Sequence, residues 1–352
     1  MVPHLPIARP SAPGIGYALT AAILFGAGTP LAKYLLSTID PWMLAGLLYM
    51  GSGIGLSALR WLRPQRSSRL SGADWLWLSG AILSGGIAGP VLLMYGLTHL
   101  PSSVTALLLN GEGVLTALLA WFTFREHFDH RIAIGMGLIA LGALVLTWPT
   151  GSQSGALLPA LTVIAACLAW AIDNNLTRKV SLSDATLIAS IKGLVAGVVN
   201  ISLALFLGAA LPQLAPAAFA MGTGLLTYGV SLVLFVLALR GLGAARTSAY
   251  FSVAPFVGAL IGIAAGEAIT WHLSAACALM AIGIWLHLTE HHSHEHLHEP
   301  MEHEHAHVHD EHHQHVHEPG VDPGEPHTHL HRHARLRHKH PHFPDAHHLH
   351  RH

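Results

Sequence analysis

Two polar residues in the middle of an apolar stretch are the first candidates for chemistry in this chain. Ser102 to Phe124 is a run of 23 residues, mostly Leu, Ala and Val, and Asn110 and Glu112 lie near its middle. A carboxylate at the centre of a bilayer costs about 2.5–3.5 kcal/mol, so it must face a bundle interior, find a partner or be protonated. We therefore interpret Glu112 as functional; the alternative is a structural hydrogen bond to a neighbouring helix.

A second polar group straddles two apolar runs. Asp173, Asn174 and Asn175 lie near the end of one run, and Lys192 lies about eight residues into the next. Because consecutive spans are antiparallel, Asp173 and Lys192 are expected at similar depth, where opposite charges offset each other's cost. A structural ion pair and a polar wall of a substrate path both explain them. Lys33, late in the first run, is expected to extend to the outer interface or to bind a substrate carboxylate at the outer mouth.

Residues 291–352 hold 24 of the 30 histidines, alternating with Glu, Val, Leu and Arg. Such a segment cannot bury a core and is expected to be disordered. Neutral imidazole binds Zn²⁺, Ni²⁺, Co²⁺ and Cu²⁺, and the irregular spacing selects none of them. A role in transport and a role as a metal buffer or charge store both stay open. The candidate metal ligands are His294, His296, His298, His303, His305, His307, His309, His312, His313, His315 and His317.

The composition predicts a polytopic membrane protein. Of the 352 residues 52% are hydrophobic and 11% are charged, whereas soluble domains carry about 25% charge. Cys167 and Cys277 both lie in apolar segments, so neither a disulfide framework nor a thiolate metal cluster is indicated. No nucleophile–base set or phosphate-cradling loop is visible, and we expect no enzyme, no cofactor for transport and no nucleic-acid partner.

Ten apolar segments of spanning length recur along the chain, separated by breaks that carry Pro, Gly, Ser or charge. The predicted spans are 14–36, 41–61, 73–98, 102–124, 130–148, 155–177, 184–208, 216–239, 244–265 and 271–289. Lys and Arg fill the breaks after the second, fourth, sixth and eighth spans and are missing from the others. By the positive-inside rule both termini are cytoplasmic in a multi-pass protein of the cell membrane.

The two halves of the apolar part repeat each other. Leu100–Leu107 aligns with Leu242–Ala249, which places Gly113 opposite Pro255. Glu126 then falls opposite Glu267 after a one-residue slip, and we interpret both acids as helix-end anchors. Five spans per copy is an odd number, so the copies point in opposite directions across the membrane. The predicted organisation is a cytoplasmic segment (1–13), two inverted five-helix repeats (14–149 and 155–290) and the His-rich tail (291–352).

These residues resemble the EamA branch of the drug/metabolite transporter superfamily. The stretch from Asn110 through Glu112 to Arg125-Glu126 is similar to the family's Leu-Glu-Pro stretch, with Gly113 where the family usually has Pro. The second copy keeps Pro255 and ends in Gly266-Glu267 but lacks the acid. The resemblance implies a ten-helix fold that transports small metabolites, often exporting amino acids, without a cofactor.

Three functions remain open. The first is a secondary transporter of organic metabolites working by alternating access, with Glu112 carrying a proton. The second is a divalent transition-metal transporter, with the tail as collector and Asp173, Asn174, Asn175 and Glu112 as oxygen ligands. The third is a membrane-anchored metal buffer. The membrane part has no paired His or Cys at helical spacing, which favours an organic solute. The expected partners are the lipid bilayer, a small-molecule substrate and metal ions at the tail, with a homodimer left open.

Pro90 lies inside the third predicted span, in Gly85-Gly86-Ile87-Ala88-Gly89-Pro90. Proline has no N–H and disrupts the helical hydrogen-bond ladder. It is expected to expose backbone carbonyls to a cavity or to form a packing kink between faces of small residues.

Overall fold

The computed structural model describes two compact units, 1–290 and 291–352, which we treat separately. The described residues are 12–62, 72–124, 130–148, 157–178, 180, 184–242, 247, 250–288, 293–298, 301–307, 327–333 and 336–341. Glu126 and the break after α2, which carries Arg63, Arg66 and Arg69, lie outside them.

The first unit is helical in its described residues. Its first half contains α1 (Ala12–Leu35), α2 (Pro41–Leu62), α3a (Gly72–Ala81), the π-helix π1 (Ile82–Ala88), α3b (Gly89–His99), α4a (Ser102–Leu108), α4b (Gly111–Phe124) and α5 (His130–Thr147). Its second half contains α6 (Leu157–Arg178), α7 (Ala185–Phe206), α8a (Leu214–Gly224), the π-helix π2 (Leu225–Val230), α8b (Ser231–Leu242), α9 (Ala254–Ala264) and α10 (Trp271–Leu288).

Seven helical stretches among the described residues are long and apolar enough to cross a membrane. They are Gly14–Leu35, Pro41–Leu62, Asp74–His99, Ser102–Leu119, Leu157–Thr177, Thr186–Phe206 and Leu214–Ala238. Three shorter apolar helices, Ala133–Thr147, Ala254–Ala264 and Trp271–Leu286, lie where further spans are predicted. Large apolar side chains such as Phe206 (87% exposed) and Leu214 (86% exposed) face outward, as a lipid-contacting surface requires. The protein is a multi-pass membrane protein.

Aspartate side chains begin the second helix of each half. Asp40 Oδ1 accepts hydrogen bonds from the backbone N–H of Trp42 (2.9 Å) and Met43 (3.2 Å). Asp184 Oδ1 accepts from the N–H of Thr186 (2.9 Å) and Leu187 (3.1 Å). These caps satisfy N–H groups that have no partner within the helix.

The third and eighth helices share an unusual feature, a π-helical stretch in the middle of the span. The alignment of Leu100 with Leu242 also places π1 opposite π2, to within one residue. In π1 the cause is visible in the sequence: Pro90 lacks the N–H that would bond the carbonyl of Gly86, and the ladder widens before it. The chain therefore stays helical through Pro90, and the ladder changes there from π-helical to α-helical hydrogen bonds.

The fourth predicted span is not one continuous helix. A turn at Leu109–Asn110 separates α4a from α4b, and the backbone N–H of Asn110 and Glu112 bond carbonyls three residues back at 3.1 and 3.0 Å. The Asn110 amide donates to Leu107 O at 3.0 Å, a local bond that competes with the helical ladder. In the second half a turn at Ser252–Val253 precedes α9.

Glycines bring α2 against the second half at backbone distance. A Cβ at Gly53 would lie 2.4 Å from Leu194 N on α7, and one at Gly224 would lie 1.9 Å from Leu48 O on α2. In lipid the hydrophobic effect does not drive helices together, and close van der Waals packing between small residues does so instead.

Helix contacts across the two halves occur in matching pairs. Here α3 denotes α3a, π1 and α3b together, α4 denotes α4a and α4b, and α8 denotes α8a, π2 and α8b. α3 packs on α6 as α8 packs on α1, and α4 packs on α6 as α9 packs on α1. α2 packs on α8 as α7 packs on α3. The pairs α2–α7, α4–α9 and α5–α10 each join helices of equal rank in the two halves. This is the contact pattern of a pseudo-two-fold arrangement.

The described tail residues form strands, whereas the sequence predicts disorder for the tail. β1 (Ser293–His298) pairs with β4 (Leu336–Pro341), and β2 (Met301–His307) pairs with β3 (His327–His333), both antiparallel. A strand needs backbone pairing rather than a buried core, and alternation of two residue classes has the period of a strand.

Candidate functional site

Glu112 lies in the first turn of α4b, directly after the break in the fourth helix. Its Oε1 accepts a hydrogen bond of 2.9 Å from the side-chain amide of Asn174 on α6. The same amide nitrogen lies 3.4 Å from Thr116 Oγ1, one turn further along α4b. Within the described residues, Asn174 is the side chain that donates to this carboxylate.

Asp173 and Lys192 form an ion pair beside Glu112. Lys192 Nζ on α7 donates to both carboxylate oxygens of Asp173 at 2.6 and 2.7 Å, and it lies 3.4 Å from Thr177 Oγ1. Thr177 Oγ1 donates to Asp173 Oδ1 at 2.8 Å. Asp173 is 5% exposed, and Glu112 interacts electrostatically with both members of the pair. The two charges, for which the sequence predicts a similar depth, therefore meet in an ion pair.

The carbonyls of π1 accept side-chain donors from three other helices. Gly85 O accepts hydrogen bonds of 2.9 Å from Tyr49 Oη on α2 and from Trp170 Nε1 on α6. Gly86 O accepts one of 2.9 Å from the Asn200 amide on α7. A Cβ at Gly85 would overlap the Asp173 carboxylate. The π-helix and the ion pair are thus in direct contact, and the freed carbonyls are paired as burial requires.

Aromatic rings from both halves lie beside these groups. Tyr49 stacks on Tyr228 of π2 with ring centroids 5.5 Å apart, and Phe25 of α1 meets Tyr228 edge-on at 6.0 Å. Tyr49 interacts electrostatically with Asp173 and Glu112. A carboxylate with aromatic faces nearby can bind a cationic group of a ligand.

The other predicted path residues lie in different surroundings. Asn110 is buried, bonds Leu107 O within its own chain turn and lies 3.6 Å from Met280 Sδ. Asn175 donates to Ala171 O at 2.8 Å and to Thr116 O at 3.3 Å, which ties α6 to α4b. Lys33, near the end of α1, donates to Leu97 O (2.6 Å) and Thr98 O (3.0 Å) in the last turn of α3b.

Four residues around the site were not predicted from the sequence. Tyr49, Trp170 and Tyr228 are aromatic residues inside spans rather than at their ends, where interfacial rings are expected. Asn200 is a fully buried amide in the middle of α7, and its Oδ1 has no hydrogen-bond partner. A polar or hydrogen-bonding side chain in the interior of an apolar run is the signal that would have found all four.

The described side chains offer no metal site in the membrane part. No group of three or more His, Cys, Asp or Glu residues that could hold an ion occurs among them. Both oxygens of Asp173 are taken by Lys192, and the amides of Asn174 and Asn175 donate through their nitrogens. The metal-transport alternative therefore gains no support from these residues.

Residues 12–148 match the model of the EamA-like transporter family. The chain is also 34% identical over 104 residues to a probable 4-amino-4-deoxy-L-arabinose-phosphoundecaprenol flippase subunit of Pseudomonas fluorescens, covering 29% of this chain and 89% of that protein. The chain belongs to the EamA-like transporter family. As an EamA-type protein it is a membrane transporter.

Two further relatives and a solved structure are similar to this chain. An uncharacterized transporter of Methanothermobacter thermautotrophicus is 28% identical over 262 residues, which cover 69% of this chain and 76% of that one. A probable amino-acid metabolite efflux pump of Escherichia coli K12 is 27% identical over 166 residues, 46% of this EamA chain and 52% of the pump. One crystal structure of a protein shares the fold at a TM-score of 0.59 and 18% identity, covering 78% of this chain and 95% of that chain.

Proposed function

We propose that this EamA-family protein is a ten-helix secondary transporter that exports small organic metabolites, amino acids among them, by alternating access. The observation that carries the proposal is the Asn174–Glu112 hydrogen bond. It holds an acid at the break of a spanning helix, and discontinuous helices at mid-depth are where secondary transporters bind their substrates.

Two inverted five-helix repeats, 14–149 and 155–290, are the proposed frame. The coincident π-helices and the paired helix contacts support them. The breaks before α4b and before α9 support the repeats as well. When Gly113 is aligned with Pro255, the two breaks fall at nearly the same position of the alignment. In such a frame the cluster around Glu112 lies between the halves, where rocking of one repeat against the other exposes it to each side in turn.

The roles divide among the cluster. Glu112 exchanges a proton or the substrate's cationic group, while the Asp173–Lys192 pair and Thr177 fix the part of α6 that carries Asn174. Lys192 has every N–H engaged, so a positioning role fits it better than direct binding. Tyr49 and Tyr228 supply the aromatic wall.

The amino-acid class rests on a relative. The Escherichia coli protein is described as a probable amino-acid metabolite efflux pump, and this chain spans about half of its length. A protonated amine suits the carboxylate of Glu112 and the neighbouring aromatic faces, which supports the same class on chemical grounds.

The test compares cells that express the chain with cells that express Glu112→Gln, by mass spectrometry of the metabolites they release. Compounds enriched in the medium of cells that express the unchanged chain are then loaded into proteoliposomes. Their flux is measured with and without a proton gradient. Glu112→Gln, which has the same shape and no charge, should abolish gradient-driven flux. Glu112→Asp is the matched control that keeps the acid. Undiminished coupled flux in Glu112→Gln would remove the proposed role.

We also propose that the tail binds divalent transition metals on the cytoplasmic side. The strand register supports this, since histidines of one strand fall opposite histidines of its partner. The register partners are His294 with His340, His296 with His338, His303 with His331, His305 with His329, and His307 with His327. His309, His312, His313, His315 and His317 lie outside the described residues.

Tail deletion separates the two functions. Cells expressing a chain that ends at Glu290 are compared with cells expressing the full chain on excess Ni²⁺, Co²⁺ or Zn²⁺. Altered metal content with unchanged metabolite release assigns metal handling to the tail and transport to the helices. Altered metabolite release with unchanged metal content would contradict that division.

A further inference from the structure

Glu267 of the second half bonds the start of the fourth helix in the first half. Its Oε1 accepts hydrogen bonds from the backbone N–H and the hydroxyl of Ser102 at 2.6 and 2.8 Å, and its Oε2 accepts from Ser103 N–H at 2.8 Å. Backbone N–H groups at a helix start lack partners within the helix, and an anion there also meets the positive end of the helix dipole. The carboxylate is thus a helix cap supplied by the other repeat.

The backbone after α9 aims this carboxylate. Gly266 has φ of +102°, and Glu267 N–H bonds Gly262 O at 3.2 Å, five residues back. This is the Schellman end of a helix, in which a left-handed residue reverses the chain. Gly266-Glu267 therefore has a joint function: the glycine makes the turn and the glutamate reaches the neighbouring helix.

Small residues bring α9 against α4a next to the cap. A Cβ at Gly262 would lie 2.6 Å from Ser102 Oγ, and one at Gly258 would lie 2.9 Å from the Cβ of Ala106. Ala106 is 1% exposed. The two halves thus meet tightly at this end of the bundle, which by the predicted orientation is the outer end.

We propose that Glu267, Ser102 and Ser103 form an outer latch, which closes the outer end of the transport path and opens once in each cycle. This rests on the proposed function, since alternating access requires contacts between the repeats that break on one side at a time. Hydrogen bonds to one carboxylate suit that task because they are lost together when the halves separate. Lys33 does not belong to the latch: its hydrogen bonds to Leu97 O and Thr98 O stay within the first half.

The test places a reporter cysteine at the closed contact. Ala106→Cys is introduced, and its labelling by a membrane-impermeant methanethiosulfonate is followed in right-side-out vesicles, against the same chain without the reporter. Glu267→Ala should raise the labelling rate at least tenfold because the outer end opens more often. Gly266→Ala, which strains the turn that aims Glu267, should also raise it. If Glu267→Ala does not fold, Glu267→Gln takes its place in the test, because glutamine keeps the shape of the side chain and one of its acceptor oxygens.

Two control variants distinguish the latch from general loosening. Asp40→Ala removes a carboxylate cap on the same side of the bundle, but that cap lies within the first half, so labelling should stay within twofold. Glu126→Ala, the sequence counterpart of Glu267, should not raise labelling from outside. Unchanged labelling in folded Glu267→Ala, or an equal rise in Asp40→Ala, would overturn the latch.

The readout needs neither substrate nor coupling ion. A labelling response without measurable flux would leave the latch standing and count against the proposed function. Measurable flux without a labelling response would overturn the latch and leave the proposed function standing.

Discussion

Asn174 on α6 donates a hydrogen bond of 2.9 Å to Glu112 on α4b, and its sequence neighbour Asp173 is paired with Lys192 on α7. The acid on a helix of the first half is therefore held by a helix of the second half, and an ion pair joins that second helix to α7. Any movement of α6 against α4b changes the surroundings of Glu112. This relationship links the position of the acid to the movement that alternating access requires.

Removing one member of the ion pair should destabilise the protein strongly. Lys192→Met leaves the buried Asp173 carboxylate without its partner, which costs about 3–5 kcal/mol. The double variant Asp173→Asn with Lys192→Met should recover most of this loss, as read from unfolding midpoints in detergent. A double variant as unstable as the single one would contradict the pairing.

The same double variant also decides between the two roles of the pair. If it folds and transports, the pair is structural. If it folds without transporting, the charges themselves belong to the substrate path. Flux of the metabolites found by the release screen is the measurement.

Two glycines on α8a should respond oppositely to the same substitution. A Cβ at Gly224 would lie 1.9 Å from Leu48 O, whereas one at Gly222 meets no atom within 4 Å. Gly224→Ala should push α8a from α2 and cost about 1–3 kcal/mol through overpacking. Gly222→Ala should be neutral or stabilise by up to about 1 kcal/mol, because Ala is the better helix former. Equal unfolding midpoints for the two variants would contradict the close α2–α8a contact.

Low pH should weaken the hydrogen bonds that Glu267 accepts from Ser102 and Ser103. Partial burial would raise the pKa of this carboxyl, but hydrogen bonds from Ser103 and Ser102 outweigh it and hold the pKa below its ordinary value. A lowered folded-state pKa means that the stabilisation is present above the unfolded value of about 4.3 and is lost as pH falls through the folded pKa. Lys33, near the end of α1, interacts electrostatically with this carboxylate.

The measurement is the difference in unfolding midpoint between the native chain and Glu267→Gln over a pH series. This difference should be constant above about pH 5, since the carboxyl is fully ionised there, and should shrink below its pKa. Asp40→Asn is the matched comparison, because asparagine also caps helices. A Glu267→Gln difference that grows in acid would contradict the assignment.

Histidines of β3 should contribute more to metal binding than histidines outside the described strands. The triple change His327→Asn, His329→Asn and His331→Asn removes the register partners of three β2 histidines. Zn²⁺ titration of the full-length protein should then show fewer tight sites. The same change at His347, His348 and His350, which have no described register partner, should leave the tight sites in place. Equal losses in the two triples would mean that the histidines bind independently of the register.

Much of the fold could be read from the sequence. Apolar run length predicts spanning helices because the bilayer core has a fixed thickness. The spacing of Asp173 and Lys192 around one loop predicts a similar depth for the two charges because adjacent spans are antiparallel. Local chemistry also marked Pro90 as the point where the third helix changes, since a missing N–H acts at a known carbonyl.

Contacts between helices distant in sequence were beyond that reasoning. Composition could not show that Asn174 meets Glu112, that Tyr49 and Trp170 share Gly85 O, or that Glu267 reaches Ser102, 165 residues away. The sequence by itself determined a membrane protein with an acid inside an apolar run and a His-rich tail, because solvation and helix length depend on residue type alone. Only the tertiary structure decided which groups surround that acid and where Glu267 of the second half contacts the first, because those depend on how helices distant in sequence pack.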